Sequence, residues 1–190
     1  MMRLILGSQS TNRADILKEA GFEFDVLPPN IDEKAIRSSD AKELPTLLAR
    51  AKTDALLPKI SSETLLITSD QVVSFKGQIR EKPETEAEAR NFLETGHEFA
   101  NETYTAVEVT NTGTGKRASG LDIAKVYFNK IPRAVINEYI ETGEPFSHAG
   151  GFAVENSLLA PYIAGIEGEM DSIRGLPMNL TRALIEEVTK

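Results

Sequence analysis

The chain alternates short apolar runs with amphipathic stretches, a pattern that predicts strands followed by helices. Apolar runs at 4–6 and 64–68 are bounded by turn residues, as buried strands are. Leucine and alanine at helical spacing predict a helix over 43–57. The same rules predict further strands at 22–26, 103–109, 122–128, 152–155 and 162–166, and further helices at 14–20, 86–94, 132–141 and 178–188. Strands that alternate with helices around one long hairpin favour a mixed-sheet α/β fold.

The turn after the first strand carries small polar residues and then a basic one. Ser10 or Thr11 can cap the following helix by accepting a backbone N–H bond, and Arg13 lies where that helix begins. Free N–H groups, the hydroxyls of Ser8 and Ser10 and a guanidinium would then meet at one point, which is how proteins hold a phosphate. On these residues alone, an ordinary capped turn that binds nothing is the commoner outcome.

The strand predicted at 64–68 leads directly into an acidic residue. Asp70 follows that run, and the ligands of open α/β sheets lie at the carboxyl ends of strands. Lys76 and Gly77 form a tight turn shortly afterwards, so the returning chain can bring Lys82 opposite Asp70 across a short hairpin. The pattern therefore makes Asp70 a better functional candidate than an acid on a helix face.

Composition and charge narrow the class of protein. With 190 residues, 41% hydrophobic and 26% charged, the chain suits one domain over 1–190 or two intimately joined lobes, and no linker is apparent. Cysteine is absent, which excludes disulfides and thiolate metal sites. The formal net charge of -8 argues against long nucleic acid as a partner, because phosphate neutralisation needs broad basic patches. No apolar run approaches membrane-spanning length and no signal-peptide pattern is present, so we expect no membrane association and a cytoplasmic location.

Carboxylates and cations on separate segments form the candidate chemical set. Neither His97 nor His148 has a partner at zinc-ligand spacing, and no G-x-S-x-G elbow is present. Oxygen ligands suit magnesium or manganese, and lysine and arginine suit phosphate, so the set suggests phosphoryl-bond hydrolysis in which a carboxylate activates water. The alternative for each residue is a solvated charge, and this is what we expect for Arg174 in an exposed turn. The set comprises Asp32, Glu33, Asp70, Glu155, Arg13, Lys52, Lys82 and Arg174.

Seven short motifs resemble one known family over nearly the whole chain. They are SQSTNR at 8–13, an acidic pair at 32–33, AK at 51–52, SDQVV at 69–73, EKP at 81–83, AGGF at 149–152 and GLP at 175–177. In this order and with this spacing, they resemble the Maf (septum formation inhibitor) family of nucleoside triphosphate pyrophosphatases.

The resemblance implies a two-lobed α/β fold on an elongated mixed β-sheet flanked by helices, with the active-site cleft between the lobes. It implies hydrolysis of the α–β phosphate bond of modified or non-canonical nucleotides, a house-cleaning reaction linked to cell division. The products are a nucleoside monophosphate and pyrophosphate. The expected cofactor is a divalent cation, Mg²⁺ or Mn²⁺, and the expected assembly is a homodimer.

Carried over position by position, the resemblance also implies roles for individual residues. Asp70 is expected to take the proton from water and also to bind the metal, and Glu33 to bind metal or water. Lys82 is expected to hold the triphosphate and to assist catalysis. The residues expected to hold the substrate are Ser8, Ser10, Asn12, Arg13, Lys52, Gln71 and Glu155.

Three positions bear on the choice of nucleobase. Gln71 and Glu155 resemble the branch that acts on 7-methyl-GTP, whereas threonine and glutamine are usual in the branch that acts on dTTP and UTP. An ionised Glu155 can pair with guanine N–H donors or with a cationic methylated base. Asn12 stands where the branches carry arginine or tryptophan and leaves the base open. The alternatives are a dTTP/UTP pyrophosphatase, a phosphatase that removes one phosphate, and a nucleotide-binding regulator of septum formation with little turnover.

Overall fold

A mixed sheet of seven strands forms the centre of the computed structural model, which describes residues 2–61 and 63–190. The order is β2-β1-β3-β5-β6-β7, with β4 paired to β3. β1 is parallel to β2 and β3, and the remaining pairs are antiparallel. The mixed α/β sheet predicted from the sequence is confirmed. The strands are β1 (Arg3–Leu6), β2 (Asp25–Val26), β3 (Thr64–Phe75), β4 (Gln78–Arg80), β5 (Asn101–Asn111), β6 (Arg117–Phe128) and β7 (Ile163–Glu167).

Helices flank the sheet, and two of them begin with a side-chain N-cap. The Ser10 hydroxyl accepts a bond from the backbone N–H of Arg13, and the Thr85 hydroxyl accepts one from that of Glu88. Gly21 follows the first helix with a φ of +82°, as a glycine at the C′ position does. The helices are α1 (Thr11–Glu19), α2 (Glu43–Leu56), α3 (Glu86–Thr95), α4 (Arg133–Glu141), α5 (Met170–Ile173) and α6 (Met178–Thr189). In the described part of the chain, none of them is long and apolar enough to cross a membrane.

Strand β3 divides the core into two lobes. Successive side chains of a strand point to opposite faces, so its odd-numbered residues share one face. On that face Leu65 and Ile67 belong to a core with α1 and α6, whereas Val73 belongs to a second core with α3 and α4. Ser69 and Gln71 lie between the two cores, and their polar side chains interrupt the apolar surface. The two lobes therefore meet at the middle of β3.

Helix α2 covers the opposite face of β3. Leu56 packs near Leu66 at one end of the helix, and Leu44 and Leu48 pack near Val72 at the other. Between these apolar contacts, the Thr53 and Thr68 hydroxyls lie 2.7 Å apart, and Thr68 also donates to the carbonyl oxygen of Ala49 at 2.9 Å. The packing leaves Lys52 of α2 facing Asp70 of β3.

The strand end predicted just before Asp70 is wrong. β3 continues to Phe75 because β5 pairs with it from Leu65 to Phe75. The parallel pairing with β1 ends much earlier, at Leu6 opposite Ile67. Asp70 therefore lies in mid-strand, but beyond the carboxyl end of β1, where the edge of the sheet is open.

Two other predicted strands are shorter or absent. Only Asp25–Val26 of the expected strand at 22–26 pairs with the sheet. Residues 152–155 form no strand, because Gly150 and Gly151 adopt φ values of +71° and +70° and turn the chain before Phe152. Glu155 is thus delivered by a loop.

That loop is anchored by a buried tyrosine. The backbone N–H of Ala153 donates to the Tyr139 hydroxyl at 3.0 Å, and both residues are buried.

We expect Tyr139→Phe to lower the free energy of unfolding by about 1–3 kcal/mol, since the Ala153 N–H loses its acceptor. The measurement is chemical denaturation. Tyr127→Phe is the matched control, because that hydroxyl donates to Glu167 in an exposed position and its loss should cost at most ~0.5 kcal/mol. Equal losses in the two variants would contradict this role.

Candidate active site

A single cleft between the two lobes collects the residues singled out by the sequence. Its volume is about 870 Å³, within the usual range of small-molecule sites. Every predicted site residue contributes to its wall: Ser8, Ser10, Asn12, Arg13, Glu33, Lys52, Asp70, Gln71, Lys82 and Glu155. These positions come from α1, α2, β3 and four connecting segments, so the fold brings together residues that are far apart in the sequence.

The loop before α1 fixes a guanidinium at one wall of the cleft. The Ser8 hydroxyl accepts the Ser10 N–H at 3.1 Å and Arg13 Nη1 at 3.3 Å. Arg13 Nε donates to the carbonyl oxygen of Gly175 at 2.9 Å, and within the described residues Nη2 donates to no protein atom. Burial lowers the pKa of Arg13, and the negative charges of Asp70 and Glu33 offset only part of this effect. The guanidinium nevertheless remains protonated. The group is therefore a desolvated cation with a donor left over for an anion.

The turn that receives this guanidinium is tied to the middle of β3. Ser69 Oγ donates to the carbonyl oxygen of Gly175 at 3.1 Å. Gln71 Nε2 donates to the carbonyl oxygens of Ser172 at 2.9 Å and Ile173 at 3.2 Å. The amide nitrogen of Gln71 is thus already engaged, and only its Oε1 is left for a ligand. Ser69 and Gln71, the two polar residues that separate the apolar cores, therefore position this turn.

A buried lysine lies between two carboxylates at the centre of the cleft. Lys52 Nζ is 2.5 Å from Asp70 Oδ1 and 2.9 Å from Glu33 Oε1. Lys52 and Asp70 are only 5% and 8% exposed. Burial raises the pKa of Asp70 and outweighs the opposing effects of Lys52 and Arg13. Burial also acts to raise the pKa of Glu33, but Lys52, Lys82 and Arg13 together lower it below its ordinary value.

Lys82 lies at the exposed rim of this centre. The last paired residues of the β3–β4 hairpin are Val73 and Arg80, so Lys82 follows the ladder and does not lie opposite Asp70. The hairpin prediction is correct, but the direct pairing of the two side chains is wrong. Lys82 is still near enough to lower the pKa of Glu33, and it forms no ion pair among the described residues.

Arg174 is not the exposed turn residue that the sequence suggested. Its side chain is 14% exposed, its Nη1 and Nη2 donate to the two carboxylate oxygens of Glu19 at 2.7 and 3.0 Å, and its Nε forms an ion pair with Glu155. No spacing signal in the sequence could reveal this, because the three residues lie in α1, a loop and the turn before α6.

A second set of charges lines the cleft rim and was also missed. Lys34 pairs with Glu84 at 2.6 Å, and Arg37 pairs with Glu81 at 3.2 Å. Both pairs join the segment that carries Glu33 to the segment that carries Lys82. The pairs are exposed, so each contributes little stability on its own.

The acidic side chains of the cleft are candidate ligands for a divalent cation. Among the described residues, no group of three or more acidic or histidine side chains could enclose a metal. Mg²⁺ usually takes only one or two protein carboxylates and completes its shell with water and substrate phosphates. Glu33 and the adjacent Asp70 provide that many, so the donor set fits a cation that arrives with a phosphate group.

Known proteins match almost the whole chain. The family model described as Maf-like protein matches residues 3–188. The chain belongs to the Maf-like family. The chain is 42% identical over 194 residues to the 7-methyl-GTP pyrophosphatase of Dictyostelium discoideum, which covers 98% of both chains. It is 32% identical over 187 residues to the dTTP/UTP pyrophosphatase of Vibrio vulnificus (strain YJ016), covering 98% of this Maf-like chain and 99% of that relative.

A further Maf-like relative is the nucleoside triphosphate pyrophosphatase of Salinispora tropica, 34% identical over 191 residues, with 98% of this chain and 84% of that one covered. Among solved structures, a dITP/XTP pyrophosphatase from Mycobacterium abscessus covers 99% of this chain and 96% of its own at 10% identity and a TM-score of 0.43. That structural likeness is too distant to bear on fold or function.

The central lysine makes a testable contribution to stability. Lys52→Met keeps the volume but leaves the buried Asp70 carboxylate without its closest cation. We expect a loss of about 3 kcal/mol in the free energy of unfolding at neutral pH. Because the folded-state pKa of Asp70 is raised, the carboxyl protonates as pH falls and the deficit relative to wild type should shrink. Denaturation at several pH values measures this.

Lys52→Met combined with Asp70→Asn is the control for that measurement. Removing the buried charge should recover most of the lost stability, since an uncharged amide costs less to bury. A deficit that is the same at every pH, and that the second substitution does not relieve, would contradict the pairing.

Proposed function

We propose that this chain is a nucleoside triphosphate pyrophosphatase, which cleaves the α–β phosphate bond to give a nucleoside monophosphate and pyrophosphate. One observation carries the proposal: Lys52 bridges Asp70 and Glu33 in a cleft that also contains the desolvated guanidinium of Arg13. The named activities of the similar Maf-like proteins support the same reaction.

The cations of the cleft serve as triphosphate ligands in this proposal. The free Nη2 of Arg13 and the N-terminal turn of α1 face one end of the phosphate chain, with the Ser8 and Ser10 hydroxyls beside them. Lys82, exposed at the rim, neutralises charge that develops on the departing pyrophosphate. Lys52 bridges the two carboxylates and offsets their mutual repulsion.

Asp70 is the general base of the proposed reaction. Its Oδ1 is engaged by Lys52, whereas its Oδ2 accepts no hydrogen bond from the described residues. The raised pKa brings the carboxylate closer to the range in which a base works well at neutral pH. A water molecule gives its proton to Oδ2, its oxygen bonds to the α-phosphorus, and the bond to the bridging oxygen breaks as pyrophosphate leaves.

A divalent cation, Mg²⁺ or Mn²⁺, would be held by Glu33 and Asp70 together with the phosphates. When bound, it supplies Lewis-acid stabilisation of the phosphate oxygens. Glu33 is suited to this because its half-exposed side chain can follow a ligand and its lowered pKa keeps it ionised.

The part of the cleft wall that carries Glu155 is the proposed base-binding end. A carboxylate there accepts N–H bonds, which guanine offers on its Watson–Crick edge. Together with the 7-methyl-GTP pyrophosphatase of D. discoideum as a relative, this favours a 7-methylguanine nucleotide. Gln71 contributes through its Oε1 and through the turn it positions, and Asn12 lines the same cleft. The relatives named for dTTP and UTP support a pyrimidine substrate as the alternative.

The homodimer and the link to septum formation that the resemblance implies stay predictions, as does the cytoplasmic location expected from the sequence. No step of the proposed reaction depends on them, because every residue it uses comes from one chain.

The proposal is tested by incubating the protein with 7-methyl-GTP, GTP, dTTP and UTP in the presence of Mg²⁺ or Mn²⁺. We expect pyrophosphate and the nucleoside monophosphate as products, with 7-methyl-GTP hydrolysed fastest. The measurement is chromatographic identification of both products.

Asp70→Asn is the matched control. It removes the base while keeping a side chain of the same size, so turnover should fall by a factor of about 10²–10⁴, with nucleotide binding retained. Orthophosphate in place of pyrophosphate, or full activity in the Asn variant, would contradict the assignment. Tight binding without turnover in the wild type would instead favour the regulator.

A further inference from the structure

Arg174 is held from two sides at the wall of the cleft. Its guanidinium donates to both oxygens of Glu19 and contacts Oε1 of Glu155 through Nε. Arginine suits such a role, since its planar fork engages a carboxylate with two parallel bonds and leaves a third nitrogen for another partner. With only 14% of the Arg174 side chain exposed, this arrangement is part of the cleft wall.

The same elements also position the phosphate-binding end of the site. Glu19 is the last residue of α1, whose first turn carries Arg13. Arg174 directly precedes Gly175, whose carbonyl oxygen accepts the bond from Arg13 Nε. The two arginines are thus fixed to one helix–turn unit, and Glu155 is connected to that unit through Arg174.

Glu155 has little else to fix its direction. It lies in a loop with no strand pairing and its side chain is 46% exposed. A carboxylate on such a loop loses rotamer freedom when it binds a base, unless another group has already ordered it.

We propose that Arg174 is a positioning residue that orders Glu155 for recognition of the nucleobase. This inference rests on the proposed function and extends it to a residue that contacts no phosphate. Arg174 engages Oε1 of Glu155, which leaves Oε2 to accept N–H bonds from the base. Glu19 and Glu155 contact Arg174, and the charge of Asp15 also acts on it, so the acids near this cation outnumber it. The surplus of negative charge favours a cationic or donor-rich ring, such as 7-methylguanine, over a pyrimidine.

The test is a double-mutant cycle on Arg174→Met and Glu155→Gln. The readout is the ratio of kcat/KM for 7-methyl-GTP to that for dTTP, measured with the full chain. We expect each single substitution to lower this ratio roughly tenfold, about what the loss of one hydrogen bond to a charged group gives. The double variant should lower it no further, because both residues act through one carboxylate. Arg174→Lys, which keeps the charge but not the fork, should restore only part of the ratio.

A merely structural arginine would give other results. Equal losses for both nucleotides, additive effects in the double variant, or a wild type that does not prefer 7-methyl-GTP would each overturn the proposal. If Arg174→Met does not fold, Glu19→Gln replaces it. That variant leaves the Arg174–Glu155 contact in place but loosens its anchor, so a smaller fall in the same ratio is expected and an unchanged ratio contradicts the proposal.

Equilibrium binding of 7-methyl-GMP and dTMP separates this proposal from the proposed function. These products have no α–β bond to hydrolyse, so their Kd ratio reports base recognition whether or not the protein is a pyrophosphatase. If the wild type turns over no nucleotide, the pyrophosphatase assignment fails. The Kd ratio in the four variants of the cycle then decides the role of Arg174, and an unchanged ratio overturns it.

Discussion

The contact of the Lys52 ammonium with two carboxylates is the interaction on which the site depends. A charged group removed from water is costly unless an opposite charge meets it with good geometry. Here the cation and one acid are almost fully buried, whereas Glu33 reaches them from the exposed side of the cleft. The native state favours protonation of Asp70, so that carboxyl costs stability at neutral pH. A cost of this kind is common where a group is held ready for proton transfer.

The sheet makes this contact possible by the way β3 divides its two faces. On one face, Ser69 and Gln71 separate two apolar cores and tie down the turn that ends at Gly175. On the other face, α2 packs through leucines at both ends and brings Lys52 to Asp70 between them. The early end of β1 opens the sheet at that point. The positions of the cleft, of the proposed base Asp70 and of the Lys52 cation therefore follow from β3 and from the lengths of the strands that pair with it.

Much of this could be read from the sequence, because local signals decide where elements begin and end. Ser10, one of the two expected caps, does cap the first helix, which begins at Thr11, three residues before the predicted bound. The helix predicted over 43–57 ends one residue earlier than expected. The ten candidate residues also line one cleft, although their chemical roles are still untested. The predicted helix bounds were close to the observed ones where hydrophobic periodicity and capping residues are compatible with only one local structure.

The failures concern contacts between distant segments. Asp70 was placed at a strand end because the apolar run stops before it, but pairing with β5 extends the strand past polar residues. Arg174 was expected to be solvated, since neither Glu19 nor Glu155 is near it in sequence. Glu155 was assigned to a strand because positive φ angles at two glycines cannot be inferred from an apolar run. Each error arose from tertiary packing overriding a local pattern.

The most direct measurement is a ¹³C NMR titration of the side-chain carboxyls of Asp70 and Glu33 in the free protein. Ordinary aspartate titrates near a pKa of about 3.9 and glutamate near about 4.3. Burial of Asp70, and the cations around Glu33, predict the reverse order, with Asp70 gaining its proton at higher pH than Glu33. If Asp70 titrates at or below its ordinary value, and below Glu33, then burial does not hold Asp70 ready for proton transfer, and the account of the site is contradicted.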